Sequence, residues 1–281
     1  MNSIRLVTAL FIFGSSVLTS RSAVVFYEGS GSTSAAIVGV RDSFRTAIGG
    51  GTTAAANGDF GGVRREINWD GVPSNLSDPN ALPGNFFNVD SPRGVVLTTP
   101  GTGFMVSANA GGATAPLFGF ANDLQAFSAQ KLFTAVNSNI TDVSFFVPGT
   151  TTAATTSAFG VVFVDVEVAG STKLEFFDSL NNLIFSRDAL AAGNQGLSFL
   201  GGVATGGELI SRVRITSGLN TFVANGTLGS PNPDFVVMDD FIYATPTARA
   251  GSVPDTGSVS LLFALSLVGL AVLKRRGGAA A

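Results

Sequence analysis

Carboxylates are the groups with which this chain could do chemistry. Its 281 residues include no His and no Cys. That excludes Ser-His-Asp and Cys-His nucleophilic centres, thiolate chemistry, disulfides and the usual zinc sites. Glu66, Asp70, Glu167, Glu175 and Asp178 lie in the body of the chain. Two carboxylates roughly 5–9.5 Å apart suffice for glycoside hydrolysis, one as acid and the other as base or nucleophile. No spacing singles out a pair, so no residue is assigned a catalytic role. The expected protein is non-enzymatic, with a carboxylate-dependent glycan-cleaving enzyme as the alternative.

Two smaller constellations point to binding. In "FVVMDDFIYA", residues 235–244, strand alternation puts Asp239 on the face of Phe241 and Tyr243 or Asp240 on that of Met238 and Ile242. A carboxylate on an apolar face needs a partner, because an unpaired buried charge costs several kcal/mol. Asp239 or Asp240 could join loop carbonyls and another acid around Ca²⁺, which takes hard oxygen ligands. Alternatively a bulge turns both acids outward, or Arg212 or Arg214 pairs with them. No other cofactor is expected. In "GGVRREINWDGVP", residues 61–73, the sole Trp, Trp69, stands beside Asp70 and Asn68. That set could stack on a sugar ring and bond its hydroxyls, or Trp69 could anchor a core next to a turn.

The elements that must position these residues read as β-structure. Short runs rich in Val, Ile, Phe and Thr lie at 24–28, 94–98, 103–107, 131–136, 143–147, 159–168, 172–177, 182–185, 209–215 and 235–243, with Gly, Asn, Pro, Asp and Ser in the gaps. This spacing predicts an all-β sandwich or barrel over a body of residues 23–244. "RDSFRTAIGG", residues 41–50, predicts a short helix with Phe44 and Ile48 on one face and Gly49 as its stop. "VVFVDVEVAG" predicts Val162, Val164, Val166 and Val168 on one strand face, with Phe163, Asp165 and Glu167 on the other. Asp178 to Asn182 reads as a hairpin turn. The stretch "STKLEFFDSLNNLIF" around it resembles the hairpins of jelly-roll carbohydrate-binding-like domains, which implies a jelly-roll-like β-sandwich.

The two ends read as addresses. Arg5, an apolar stretch from Leu6 to Leu18, then Ser20 and Ser22 have the order of a secretory signal peptide over residues 1–22, cut before Ala23. A small-residue linker, 245–252, leads to Val253-Pro254-Asp255-Thr256-Gly257, an uncharged run from Val259 to Leu273, and Lys274, Arg275 and Arg276. As a helix, 259–273 spans about 22 Å against a hydrocarbon core of about 30 Å, short but extensible by the Lys274 stem. The basic tail would stay in the cytosol by the positive-inside tendency.

This order of motif, apolar helix and basic tail resembles the PEP-CTERM class of bacterial sorting signals in its VPDSG-type variant, with Thr256 where the variant has Ser. The resemblance implies an exosortase-type membrane protease as partner, a membrane-anchored intermediate, and delivery to the cell surface or extracellular matrix, where a polysaccharide is the expected partner. Five of the 16 basic residues (Arg5, Arg21, Lys274, Arg275, Arg276) sit in the terminal segments, and all 19 acids lie between Glu28 and Asp255. The middle of the chain is therefore acidic and should repel phosphate backbones, so nucleic acid is not expected as a partner.

Overall fold

The computed structural model describes residues 23–51, 59–60, 62–223, 226–229 and 234–249. The signal-peptide segment 1–22, the motif 253–257, the apolar run 259–273 and the basic tail 274–276 lie outside the described residues. In chain order the first elements are β1 (Ala23–Gly31), α1 (Ser34–Ile48), β2 (Asp59–Phe60), β3 (Arg64–Ile67), α2 (Phe86–Val89), β4 (Val95–Thr98) and β5 (Gly103–Val106). Next come β6 (Phe133–Val136), β7 (Ile140–Phe145), β8 (Ala154–Thr155), β9 (Ala158–Val164), β10 (Lys173–Phe177), β11 (Leu183–Asp188) and β12 (Leu197–Thr205). The last are β13 (Arg212–Thr216), β14 (Phe222–Val223), β15 (Thr227–Leu228), β16 (Val237–Ala244) and β17 (Thr247–Ala248).

Two sheets carry the fold, as the all-β expectation requires. The larger runs β1-β12-β9-β16-β6-β14-β15, with β3 also on β16, β2 on β3 and β5 on β6. The smaller runs β11-β10-β13-β7-β4 and is antiparallel throughout. Phe159, Val161, Phe163, Phe241 and Tyr243 of the larger sheet share one apolar cluster with Val143, Phe145, Leu174, Phe176, Val213 and Ile215 of the smaller. These side chains form the filling of a β-sandwich.

The larger sheet is covered on its second face too. Val162, Val164, Leu197, Phe199, Val237 and Ile242 meet Ile37 and Phe44 of α1. This explains why β9 is buried at every position from Ala158 to Val164. A sheet sandwiched on both sides reads as a continuous apolar run, so the expected segregation of faces is half right. Val162 and Val164 face the helix and Phe163 faces the smaller sheet. The strand then ends at Asp165, whose φ of 72° reverses the alternation. Val166 consequently joins the core between the sheets and Val168 is exposed.

α1 starts seven residues earlier than the expected 41 and stops where Gly49 dictates. Gly49 has φ 105° and donates its N–H to the Arg45 carbonyl at 2.9 Å, a conformation that costs glycine little. The helix seats Phe44 in a hole left by two strand glycines. A Cβ at Gly160 would stand 2.8 Å from Phe44, and one at Gly201 3.0 Å. On the opposite face a Cβ at Gly202 would meet Phe176 at 2.7 Å.

The expected free linker is corrected over its first five residues. Thr245 donates its backbone N–H to the Val63 carbonyl at 2.8 Å, β17 pairs with β8, and the Arg249 N–H reaches the Ala153 carbonyl at 3.2 Å. Arg249 also donates to the Ser211 hydroxyl. The folded body therefore extends to Arg249, because the backbone groups of β8 are satisfied by pairing with the tail.

Candidate functional site

The two adjacent acids of β16 are both buried. Between Met238 and Phe241 the register against β9 slips by one residue, a bulge that sets Asp239 and Asp240 against Val162. The bulge does not turn them outward: Asp239 is 0% and Asp240 4% exposed. Nor do Arg212 and Arg214 serve them, since both arginines bind Asp142 on the neighbouring β7, at 2.6 and 2.7 Å. Asp239 instead accepts from the Phe127 and Ser128 N–H groups at 2.7 and 3.2 Å. The Ser128 hydroxyl lies 2.8 Å from a carboxyl oxygen of each acid.

Burial pushes both carboxyls above the ordinary carboxylate range, and the charge of Asp240 raises Asp239 further. The pair holds a proton that two bare carboxylates in contact could not do without. As for Ca²⁺, the donors aimed at Asp239 are N–H and O–H groups, which satisfy a carboxyl and repel a cation. No group of three or more His, Cys, Asp or Glu placed to hold a metal ion occurs among the described residues.

Beside this pair, Glu66 of β3 takes a forked contact from Arg45 of α1 at 2.8 and 2.6 Å, and a third from Arg64 at 2.8 Å. Arg45 also reaches Asp42 at 3.2 Å. The cluster ties α1 to the larger sheet through charge-assisted bonds in a closed space. Glu66 is thereby committed to structure. Asp178 is committed as well, accepting from the Leu180 and Asn182 N–H groups at 2.8 Å each and shaping the expected hairpin turn. Burial is the largest single influence on Asp178 and raises it, but the Asn182 side chain and those two N–H bonds together outweigh it and hold the carboxyl below the usual range. Glu175 sits opposite Arg214 on β13, and Glu167 lies in the loop after β9.

Trp69 corrects the expectation of a sugar platform. It is 1% exposed, with its ring stacked on Phe133 at 4.0 Å and edge-on to Phe87 and Phe241. Its Nε1 donates to the Asp239 carbonyl at 2.6 Å. A tryptophan with one face against a phenylalanine and its edges enclosed has no surface on which a ring could stack.

Its neighbour Asp70 reaches a cleft. Trp69 holds φ 66° and its carbonyl accepts the Val72 N–H at 2.9 Å, so the chain after β3 turns tightly and carries Asp70 outward. One Asp70 oxygen accepts the Gln130 and Lys131 N–H groups at 2.6 and 3.0 Å, and the other the Asn68 amide at 3.1 Å. Lys131 is buried beneath this turn, donating to the Val72 carbonyl and to Ser77, and burial lowers its ammonium against the partial support of Asp70.

Facing Asp70 across the cleft are α2 and Arg93. Phe86 and Phe87 of α2 meet edge to face at 4.9 Å. The Arg93 guanidinium lies 5.1 Å over the Phe87 ring and donates to the Ser91 hydroxyl at 2.9 Å. Burial is the main influence on this guanidinium, lowering it, and nearby Arg65 adds to the effect. The Arg93 backbone carbonyl accepts the Tyr243 hydroxyl at 3.0 Å, fixing the loop to β16. The space enclosed by Asn68 to Val72, Phe86, Phe87, Ser91 and Arg93 measures about 340 Å³.

Two further hollows of about 300 Å³ each flank Arg249 near the Asp178 turn. Their arginines, Arg212 and Arg249, are already bonded to Asp142, Asn181 and Ser211. Of the set expected from sequence to bind a sugar, Asp70 and Asn68 line the cleft facing Arg93 with polar groups, while Trp69 is buried in its wall. Ser91, Arg93 and the α2 phenylalanines were not expected, since nothing in "NFFNVDSPRG" marks a loop that folds against residues twenty positions earlier.

No protein-family model matches the chain, and no curated protein does. Among solved structures, the enzymatically active domain of tailspike protein 4 of bacteriophage CBA120 is similar over 62% of this chain and 21% of that chain, at 13% sequence identity and a TM-score of 0.22. The chain thus spans about a fifth of that structure. A likeness this slight carries neither fold nor activity across.

Proposed function

We propose that the chain is an exported, non-enzymatic protein of the cell surface or extracellular matrix, and that its body binds saccharide in the cleft between Asp70 and Arg93. The observation that carries the binding reading is the lining of that cleft. Asp70, Asn68 and Ser91 offer oxygen and amide groups for hydroxyls, Arg93 offers a cation, and Phe86 and Phe87 supply an apolar wall. Small-ligand sites have this composition and begin at about 300 Å³. A non-catalytic role is supported by the commitments of Glu66 to two arginines and of Asp178 to its turn. The alternation of consecutive strands between the sheets, β9 in one, β10 and β11 in the other, then β12 back in the first, supports the jelly-roll-like reading of the sandwich.

Export rests on the sequence of the two ends. The signal peptide would be removed before Ala23, which is the first residue of β1 and pairs with Thr205. At the other end an exosortase-type protease would act at Val253 to Gly257, leaving either a released matrix protein or a retained membrane-anchored adhesin. Intact-mass measurement on protein from surface and medium fractions tests this. A mature form beginning at Ala23 and ending near the motif is expected, whereas full-length protein recovered from the cytosol overturns the assignment. Screening the purified chain against neutral and acidic oligosaccharides tests the binding reading.

A further inference from the structure

We propose that the cleft selects saccharides carrying a carboxylate, with Arg93 as the residue that reads it. This rests on the saccharide-binding reading above and narrows it to uronic-acid-type ligands.

A guanidinium has five N–H donors. At Arg93 the protein engages the side chain through Nη1 to Ser91 and through the Phe87 ring, and Nε is buried with no hydrogen-bond partner. No carboxylate pairs with Arg93 among the described residues. Five other arginines have carboxylate partners. Arg45 and Arg64 share Glu66, Arg187 grips Glu28 at 2.6 Å through two nitrogens, and Arg212 and Arg214 share Asp142. A half-buried cation without a counter-charge has lost part of its hydration, and a carboxylate binding through two parallel N–H···O bonds offsets that cost.

The acid across the cleft does not supply this charge. Asp70 is turned to the Gln130 and Lys131 N–H groups and to Asn68. Those bonds also temper the repulsion it would exert on an incoming anion. The cavity thus joins one uncompensated planar cation, neutral hydroxyl and amide groups, and an apolar wall. A ligand with one carboxylate and several hydroxyls on a ring matches each of these. A polyphosphate does not, since it needs a row of cations and the body as a whole is acidic.

The test is calorimetric titration of the purified full chain with a galacturonic acid trisaccharide, its fully methyl-esterified form and inorganic sulfate. The acid is expected to bind at least 10-fold more tightly than the ester, and sulfate is expected not to compete at equal concentration. Arg93→Lys should lose 10-fold or more for the acid and distinctly less for the ester, because an ammonium keeps the charge but not the fork. The comparison of acid with ester uses unaltered protein, so it stands even if an Arg93 variant fails to fold. Equal binding of acid and ester overturns the carboxylate inference and leaves saccharide binding intact. Equal competition by sulfate reduces the site to a simple anion site and also overturns it. Absence of binding by every saccharide removes both readings.

Discussion

Trp69 shows how a residue can be chemically suited to a role and sterically denied it. Its indole is spent on Phe133, Phe87 and Phe241 and on one hydrogen bond to the Asp239 carbonyl. That bond fixes the bulge which buries the two acids, so Trp69 links the apolar core to the polar cluster under α1. Trp69→Phe retains the stacking and orphans the buried carbonyl, a loss of about 1–3 kcal/mol. Trp69→Ala adds a cavity and should cost about 3–5 kcal/mol. Chemical denaturation of the two variants measures both values. If Trp69 instead served as a platform, either change would reduce saccharide affinity with little change in stability.

The elements fit one another through local size changes. β9 and β12 carry Gly160 and Gly201 where the Phe44 ring descends from α1. Because Phe44 is fully buried, Gly160→Ala forces its ring against the surrounding core, and overpacking of this sort costs about 1–3 kcal/mol. Combining Gly160→Ala with Phe44→Leu should recover part of that loss, and a thermal double-mutant cycle reads the coupling.

A second element, the tail strand β17, holds the chain to the body as far as Arg249. Three residues, 250–252, separate Arg249 from Val253. They reach roughly 11 Å when extended. Limited proteolysis of the full chain should therefore spare the peptide bonds between Ala244 and Arg249. Arg249→Ala, which removes the contact with Ser211, should open them, seen as faster cleavage at those bonds by mass spectrometry.

For the whole molecule, buried acids set the direction of the pH response. Asp165 is 1% exposed, and burial pushes it up to about 7, with a single N–H from Gln195 opposing and Glu167, Asp123 and Asp234 reinforcing the shift. The folded state therefore keeps this proton after the unfolded chain has released it. The associated stability is complete below the ordinary Asp value near pH 4 and is lost as pH rises through about 7. The upper limit of the effect is about 4 kcal/mol. Asp239 and Asp240 act in the same direction. Glu28, held low by Arg187, acts in the opposite one, and only under more acidic conditions. The thermal midpoint should be higher at pH 5 than at pH 8. Asp165→Asn keeps the acceptor for Gln195 and should reduce that difference, gaining stability over the native chain above pH 7. Calorimetric scans at the two pH values decide it.

At this same scale the division between sequence and structure is physical. The β-rich body, the Gly49 helix stop and the Asp178 turn were legible in the sequence, because each follows from short-range backbone preferences and side-chain patterning. β12 was not, since Gly201 and Gly202 interrupt its apolar run, and they are there to admit rings from α1 and β10. The extra turns of α1 were missed because Ala35, Ala36 and Gly39 give its first half no distinct face. By itself the sequence determined which chemistries were absent and which acids needed partners. Only the tertiary structure decided that Trp69 is enclosed, that Glu66 serves Arg45 and Arg64, and that Asp70 and Arg93 face one cavity. Those outcomes depend on contacts between residues distant in the chain, and such pairings are set by how the two sheets and the helix stack rather than by any local run of residues.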